Sequence, residues 1–128
     1  MSNCPFMSSI NEYHYWLINT SMSWTDAQLY CREKYTDLVT IESEKDTSRL
    51  PTVSTRVWIG LSDHPDDWKW SDGSTSTYRN WNNLRDNFNS TEHCALLFPS
   101  TTWADANCNS KYPFICQEGK FSMKASKL

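Results

Sequence analysis

The feature that most constrains this chain is a set of five cysteines in 128 residues. They stand at positions 4, 31, 94, 108 and 116, with no CxxC pair and no histidine at the spacing of a zinc ligand. Two N-x-S/T sequons, Asn19-Thr20-Ser21 and Asn89-Ser90-Thr91, accompany them. The pattern favours a disulfide framework formed in an oxidising compartment. The alternative is a cytosolic protein whose buried thiols are small apolar side chains.

Length and composition restrict the partners and the kind of core. The 128 residues are predicted to form one domain, 1–128, with an ordered core of about 10–118 and flexible ends at 1–9 and 119–128. The formal net charge of -3 offers no basic field for nucleic acid or an anionic membrane surface. No apolar run approaches the roughly 20 residues that span a bilayer, so no membrane insertion is predicted. Seven Trp beside three Gly predict a core of large flat side chains.

The first nine residues show no basic segment followed by an apolar one, so we predict no secretion signal within this chain. With the cysteines and sequons, this favours an extracellular location. The chain is then either a secreted form without its leader or the ectodomain of a larger receptor.

Local patterns predict two early helices followed by short strands. Residues 13–18 are aromatic and β-branched, as in a strand. Ser23 with Asp26 predicts a capped helix through Tyr35, and Ser43 with Asp46 predicts a second one that ends at Leu50, before Pro51. Five further strands are predicted at 57–61, 68–71, 94–98, 101–105 and 112–117.

Between Ser71 and Glu92 lies a long segment dominated by Ser, Thr, Asn and Asp. A loop of about 20 residues without regular structure is uncommon in a compact domain and usually carries function. We therefore predict that the functional surface lies on this segment, which we call the long loop.

Several motifs occur in an order and spacing that resemble the C-type lectin-like domain family over residues 13–117. The motifs are Trp24-Thr25-Asp26-Ala27 before Cys31, Trp58-Ile59-Gly60-Leu61, Trp68-Lys69-Trp70-Ser71-Asp72-Gly73, Asn80-Trp81, Glu92-His93-Cys94, Trp103-Ala104-Asp105, Cys108 and Pro113-Phe114-Ile115-Cys116. The resemblance implies an α+β fold with two helices, short antiparallel strands, a long polar loop and two disulfides. The local patterns agree with an α+β fold.

Four paired cysteines permit three connectivities, and sequence arithmetic leaves all three open. The resemblance implies the pairs Cys31–Cys116 and Cys94–Cys108. Because no second cysteine follows Cys4 within the next 25 residues, Cys4 is predicted to be unpaired within the chain. It is then available for a dimer through an intermolecular bond.

The resemblance also implies a calcium site in the long loop, since sugar-binding members hold the ion with five side chains. Matching the motifs leaves three of these ligands, Asn87, Glu92 and Asp105. Arg85 stands where an anionic or amide oxygen is expected, and Ala104 supplies no side-chain oxygen. Calcium prefers six to eight hard oxygen ligands, so we predict an incomplete site with weak calcium affinity and no required cofactor.

The predicted ligand-binding residues are Arg85, Asn87, Glu92, Trp103 and Asp105. We predict that the Arg85 guanidinium replaces the ion by bridging two carboxylates. A shift of the loop by one residue, which would bring Asp86 into the anionic position, is the alternative.

No GxSxG or HExxH motif and no paired-carboxylate signature is present, so the chain is predicted not to be an enzyme. The leading hypothesis is an extracellular recognition module that binds a glycan or a cell-surface protein through the long loop. The alternatives are a calcium-dependent lectin with a rearranged loop and a non-binding structural link in a tandem receptor. Asn19 and Asn89 are predicted to be glycosylated.

Overall fold

The computed structural model describes residues 13–63, 67–82 and 93–119. Several predicted functional positions lie outside these residues: Cys4, Arg85, Asp86, Asn87, Asn89 and Glu92.

Two helices and seven strands form the described part of the chain. In chain order they are β1 (Tyr13–Met22), α1 (Trp24–Lys34), β2 (Asp37–Leu38), α2 (Glu44–Thr47), β3 (Val57–Asp63), β4 (Trp68–Trp70), β5 (Cys94–Leu97), β6 (Trp103–Ala106) and β7 (Tyr112–Gly119). The predicted α+β class and the order of elements are confirmed.

All seven strands belong to one sheet with the main order β1-β7-β3-β5-β6, while β2 pairs with β7 and β4 pairs with β3. β1 and β7 form a long antiparallel pair that begins with Tyr13 opposite Gly119. β3 and β7 are parallel, with Trp58 opposite Phe114. The long loop leaves the sheet after β4 and returns to it at β5.

The first helix follows the predicted signals. The Ser23 hydroxyl accepts a hydrogen bond from the Asp26 amide at 3.3 Å, as an N-cap should. Ala27 and Cys31 are fully buried, and the helix ends where the Tyr35 amide donates to the Cys31 carbonyl at 2.8 Å. The second helix also has its predicted cap, Ser43, but it spans only Glu44–Thr47. Its predicted extension to Leu50 is wrong, since the amides of Arg49 and Leu50 donate to carbonyls three residues earlier, as in a turn, and no residue of the helix itself is buried.

Alternating side chains of the central strand enter two apolar clusters, one on each face of the sheet. Val57, Ile59 and Leu61 join one cluster, while Trp58 joins the other. The intervening Gly60 packs directly against β2, because a Cβ there would lie 2.9 Å from the Val39 carbonyl oxygen. Only glycine fits this close approach.

Both disulfides that the resemblance implied are present. Cys31 is bonded to Cys116 across 85 residues and joins α1 to β7. Cys94 is bonded to Cys108 across 14 residues and joins the start of β5 to the turn that follows β6. The second bond therefore lies at the point where the long loop returns to the sheet.

Candidate functional site

The base of the long loop consists of residues 71–82 together with β6, and we call this region the loop base. β6 pairs with β5 in a regular antiparallel register in which Asp105 lies opposite Ala95. Of the three predicted calcium ligands, Asp105 is the one within the described residues, and it is 1% exposed. Its neighbour Ala104 is fully buried. A carboxylate is therefore held on a rigid strand, and a methyl group occupies the position beside it.

Three aromatic rings pack around Trp103, and a fourth ring packs on one of those three. Trp103 has no exposed surface, and its ring makes edge-to-face contacts with Trp70 at 5.6 Å, Tyr78 at 5.7 Å and Trp81 at 5.9 Å between centroids. Trp68 in turn packs on Trp81 at 4.9 Å. Such contacts stabilise by about 0.5–1.5 kcal/mol each beyond burial. The rings thus form a packed aromatic platform at the loop base.

Backbone hydrogen bonds fix the chain where it enters the segment 83–92. The Trp103 amide donates to the Asn80 carbonyl at 2.9 Å, and the Asn82 amide donates to the Trp103 carbonyl at 2.7 Å. The Asn80 side-chain amide donates to the Thr101 carbonyl at 2.8 Å. Residues 80–82 are therefore held beside β6, two residues from Asp105.

The turn before β6 contains one strained residue. Thr101 has a φ of 73°, the one non-glycine residue with positive φ in the described part of the chain. A β-branched residue is disfavoured in this conformation. The turn is closed by the Thr101 amide, which donates to the Phe98 carbonyl at 2.8 Å. The strained residue, Thr101, is therefore also the one whose carbonyl accepts the hydrogen bond from Asn80.

The chain is also fixed where the segment 83–92 ends. The Asp63 amide donates to the His93 carbonyl at 2.7 Å, and the His93 Nδ1 lies 3.7 Å from an Asp63 carboxylate oxygen. The Cys94–Cys108 disulfide follows immediately. Both ends of the segment are therefore anchored to the same part of the sheet, next to β5 and β6.

A partly buried polar network around the buried Asp37 anchors the first residue of the loop base to α1 and β2. The Ser71 hydroxyl donates to an Asp37 carboxylate oxygen at 2.6 Å and accepts from the Gln28 amide at 2.7 Å. The Arg32 guanidinium donates to the Ser71 carbonyl at 2.9 Å and to Asp37 at 3.3 Å. Burial raises the pKa of Asp37, while the hydrogen bonds from Ser71 and from the Leu38 amide oppose that rise.

The predicted site residues fall into two groups. Trp103 and Asp105 lie side by side on β6 in the loop base. Arg85, Asn87 and Glu92 lie outside the described residues, so their meeting with Asp105 stays a prediction. Because the Trp103 ring is buried as placed here, its support of the loop base is the observed role, and direct contact with a ligand stays a prediction.

Sequence reasoning missed the anchoring network. Arg32, Asp37 and Gln28 belong to no motif that we identified, yet they hold Ser71 in place. One signal was available in the sequence: Asp37 directly precedes the apolar stretch Leu38-Val39. In the structure Asp37 is 5% exposed, and a buried carboxylate requires hydrogen-bonding partners. Its partners could not be deduced, because they lie on other elements.

The described residues contain neither a metal-binding cluster nor a helix that could span a membrane. Within 13–63, 67–82 and 93–119, no group of three or more His, Cys, Asp or Glu side chains could hold a metal ion. In the same part of the chain, none of the helices has the length and apolar character needed to cross a bilayer.

Comparison with known proteins identifies similarity to C-type lectins in each case. The family model "Lectin C-type domain" matches residues 20–118. The C-type lectin lectoxin-Lio1 of Erythrolamprus poecilogyrus is 35% identical over 127 residues, which cover 88% of this chain and 78% of that protein. The human C-type lectin domain family 10 member A is 31% identical over 115 residues, and this chain spans only 36% of its length.

Solved structures show the same similarity. The carbohydrate-recognition domain of the mouse scavenger receptor C-type lectin superimposes with a TM-score of 0.72 at 31% identity, covering 84% of this chain and 90% of that one. Human lithostathine superimposes with a TM-score of 0.73 at 28% identity, covering 84% of each chain.

Proposed function

The chain belongs to the C-type lectin domain family, and from this premise we propose that it is an extracellular recognition module whose long loop binds a glycan or a cell-surface protein without a complete calcium shell. The family is one of non-enzymatic binding domains, in agreement with the prediction that the chain is not an enzyme. Ligand binding by this chain, and the residues that carry it, are the proposed part.

The observation that supports this proposal is the placement of Asp105. Its carboxylate is 1% exposed on a strand whose backbone is fixed on one side by β5 and on the other by residues 80–82. A carboxylate in such a position is costly unless a cation or several donors face it. A fixed, buried carboxylate at the base of a long polar loop is well suited to orient a positively charged group.

Calcium is a poor fit for the part of the site that the structure describes. Asp105 offers one carboxylate there, and the buried methyl group of Ala104 takes the place of a second side-chain oxygen. With Asn87 and Glu92 added, three side chains contribute, and the remainder of six to eight oxygens must come from water or backbone. Calcium would then bind weakly, and ligand recognition depends on the protein's own groups.

We propose that Arg85 supplies the cation instead. A forked guanidinium can donate to two carboxylates at once, and Glu92 and Asp105 are the two that the family pattern places around the ion. Because Asp105 is buried, the attraction between the charges is largely offset by the cost of removing them from water. The pair should therefore make the loop more ordered, with little effect on the global stability of the domain.

Glycosylation and Cys4 bear on how the module is presented. Asn19 is exposed in β1, at an irregularity between the paired residues Ile18 and Met22, which is accessible to a glycan. We propose that Asn19 and Asn89 are both glycosylated. A glycan on Asn89, two residues from Asn87, would restrict sugar access and favour a protein ligand or an approach from the side of β6. Cys4 is proposed to link two copies.

Glycan-array and cell-surface binding with and without a chelator test the proposal. We expect binding that persists in EDTA and that falls when Asp105 is changed to Ala, while the exposed-site control Glu33→Gln binds normally. Binding that is lost in EDTA would instead support a calcium-dependent lectin with Asp86 in the anionic position. No binding under either condition would support a structural link in a tandem receptor.

A further inference from the structure

A groove of about 370 Å³ lies between β4 and the first part of the long loop. One wall is Asp67 with the strand Trp68–Trp70, the other is the segment 73–77, and Arg79 also lines the groove. The volume is within the range of about 300–1,000 Å³ that is typical of small-ligand sites. Asp105, the predicted calcium ligand within the described residues, is not part of the lining.

Arg79 brings a positive charge to this groove without an acidic partner in the described part of the chain. Its guanidinium donates to three neutral carbonyl oxygens, those of Ser76 at 3.1 Å, Tyr78 at 2.8 Å and Trp68 at 3.2 Å. The two ion pairs found among residues 13–63, 67–82 and 93–119 involve other residues. Half-burial lowers the pKa of Arg79 through desolvation, but a guanidinium stays protonated in proteins.

Three carbonyl bonds leave part of the donor capacity of this guanidinium unused, because it carries five N–H groups. A partly desolvated cation without a counter-ion is unfavourable, and a forked guanidinium binds sulfate or carboxylate through paired, charge-assisted hydrogen bonds. The three carbonyls also hold the fork in one orientation. Arg79 is therefore arranged in advance for an anionic group.

Other charged side chains make the two walls of the groove electrostatically different. Lys69 is exposed on the β4 wall and adds a second positive charge, against one negative charge from Asp67. At the opposite wall, the Ser74 hydroxyl donates to Glu42 and the Ser74 amide donates to Asp72 at 2.9 Å. An anionic group is therefore disfavoured near Ser74 and favoured beside Arg79 and Lys69.

The remaining lining groups suit a sugar ring. Thr75 and Thr77 are exposed and present hydroxyl groups that can donate and accept. The half-buried Trp68 ring is fixed by Trp81 at 4.9 Å between centroids and offers a rigid apolar surface. A pyranose presents hydroxyl groups at its rim and an apolar face, which match these two surfaces.

We propose that this groove binds an acidic saccharide, with its sulfate or carboxylate beside Arg79 and Lys69 and its ring against Trp68, Thr75 and Thr77. Binding requires no calcium, because no metal ligand takes part. The inference rests on the proposed function only in treating the chain as a recognition module.

Titration calorimetry in EDTA with three tetrasaccharides tests the proposal. The probes are chondroitin sulfate, which carries sulfate and carboxylate, hyaluronan, which carries carboxylate alone, and chitotetraose, which is neutral. We expect the acidic probes to bind at least about tenfold more tightly than the neutral one, and to weaken as salt is raised. Tighter binding of chondroitin sulfate identifies sulfate as the preferred group, and equal binding identifies the carboxylate. Equal affinity for all three would overturn the proposal, as would tighter binding of a sulfotyrosine peptide.

Groove variants locate the site. Lys69→Gln should weaken acidic binding roughly two- to fivefold, the effect of one exposed ion pair, while the control Lys111→Gln, outside the groove, should leave it unchanged. Thr75→Trp should abolish binding by filling the groove. Arg79→Lys keeps the charge but loses the fork, and should weaken binding by about tenfold.

The outcomes separate this inference from the proposed function. If Arg79→Lys is unstable, Lys69→Gln and Thr75→Trp still decide the result, because both positions are exposed. Retained acidic binding by Thr75→Trp, together with loss on Asp105→Ala, would refute the groove and support the site at Asp105. Loss on Thr75→Trp with no effect of Asp105→Ala would support the groove and count against the proposed function.

Discussion

The frame formed by β1, α1 and β7 and the loop base are stabilised in different ways. In the frame, β1 pairs with β7 residue by residue from Tyr13 to Ile18, and the Cys31–Cys116 bond joins α1 to β7. In the loop base, side chains reach backbone groups far away in sequence, as Arg32 reaches Ser71. The frame therefore depends mainly on continuous strand pairing and a covalent bond, whereas in the loop base side-chain packing and side-chain hydrogen bonds add to the β5–β6 pairing.

Removing the two disulfides separately should give the largest contrast. The chain-entropy model gives a loss of about 4–5 kcal/mol for the Cys31→Ala, Cys116→Ala pair and about 3 kcal/mol for the Cys94→Ala, Cys108→Ala pair, because the first closes a longer loop. Urea unfolding of both variants measures the difference. Equal losses would show that loop length does not determine the contribution of these bonds.

Truncating Trp103 tests whether the aromatic platform stabilises the loop base. We expect Trp103→Ala to cost about 3–5 kcal/mol, the range for large aromatic residues in cores. Trp16→Ala is the matched control, since Trp16 is 44% exposed and its truncation should cost less than about 1 kcal/mol. Chemical denaturation measures both, and a similar loss in the two variants would contradict the burial of Trp103.

The buried network at Asp37 should make stability depend on pH. Burial raises the pKa of Asp37 above its ordinary value of 3.8, so the folded state binds this proton more tightly than the unfolded chain does. The ionised carboxylate therefore costs stability at neutral pH, and this cost is lost as pH falls through the raised pKa.

As the pH is lowered from about 7 to about 4, we expect the unaltered protein to become more stable relative to Asp37→Asn. Urea unfolding across this range measures the difference, with Glu33→Gln on the exposed face of α1 as the control. A constant difference would show that the hydrogen bonds from Ser71 and Leu38 fully offset the burial of Asp37.

Relief of backbone strain at Thr101 should give the smallest effect. Glycine adopts positive φ without steric cost but is more flexible in the unfolded chain, so Thr101→Gly should stabilise by at most about 1 kcal/mol. Thr102→Gly, at the next position, should destabilise the protein, because it makes the unfolded chain more flexible and relieves no strain. Thermal unfolding distinguishes them, and destabilisation by both changes would argue against strain at Thr101.

The elements that sequence predicted correctly are those with local signals. Ser23 and Ser43 cap their helices because each has a donor amide three residues later. The ends of strands were predicted less accurately. The sequence predicts that β1 ends at residue 18, but the strand continues to Met22. Its last residue is held by tertiary contacts, since Met22 pairs with Tyr112 and its carbonyl accepts from the Trp58 indole at 2.9 Å.

The candidate site was predictable only through the family resemblance. Motif spacing placed Trp103 and Asp105 beside the long loop, and the structure puts both on β6. Local patterns could not predict that the Trp103 ring is covered by Trp70, Tyr78 and Trp81, because these rings lie in β4 and the long loop, far from Trp103 in sequence. The groove at Arg79 was missed for the same reason.

The most direct test of the central claim is the effect of calcium on the melting temperature. We expect no shift for the unaltered protein between EDTA and millimolar calcium, because we propose that Arg85 takes the place of the ion. The double variant Arg85→Glu, Ala104→Asn restores two oxygen ligands, and its melting temperature should rise with calcium concentration by mass action. A rise in the unaltered protein would contradict the account and favour the calcium-dependent lectin with a rearranged loop.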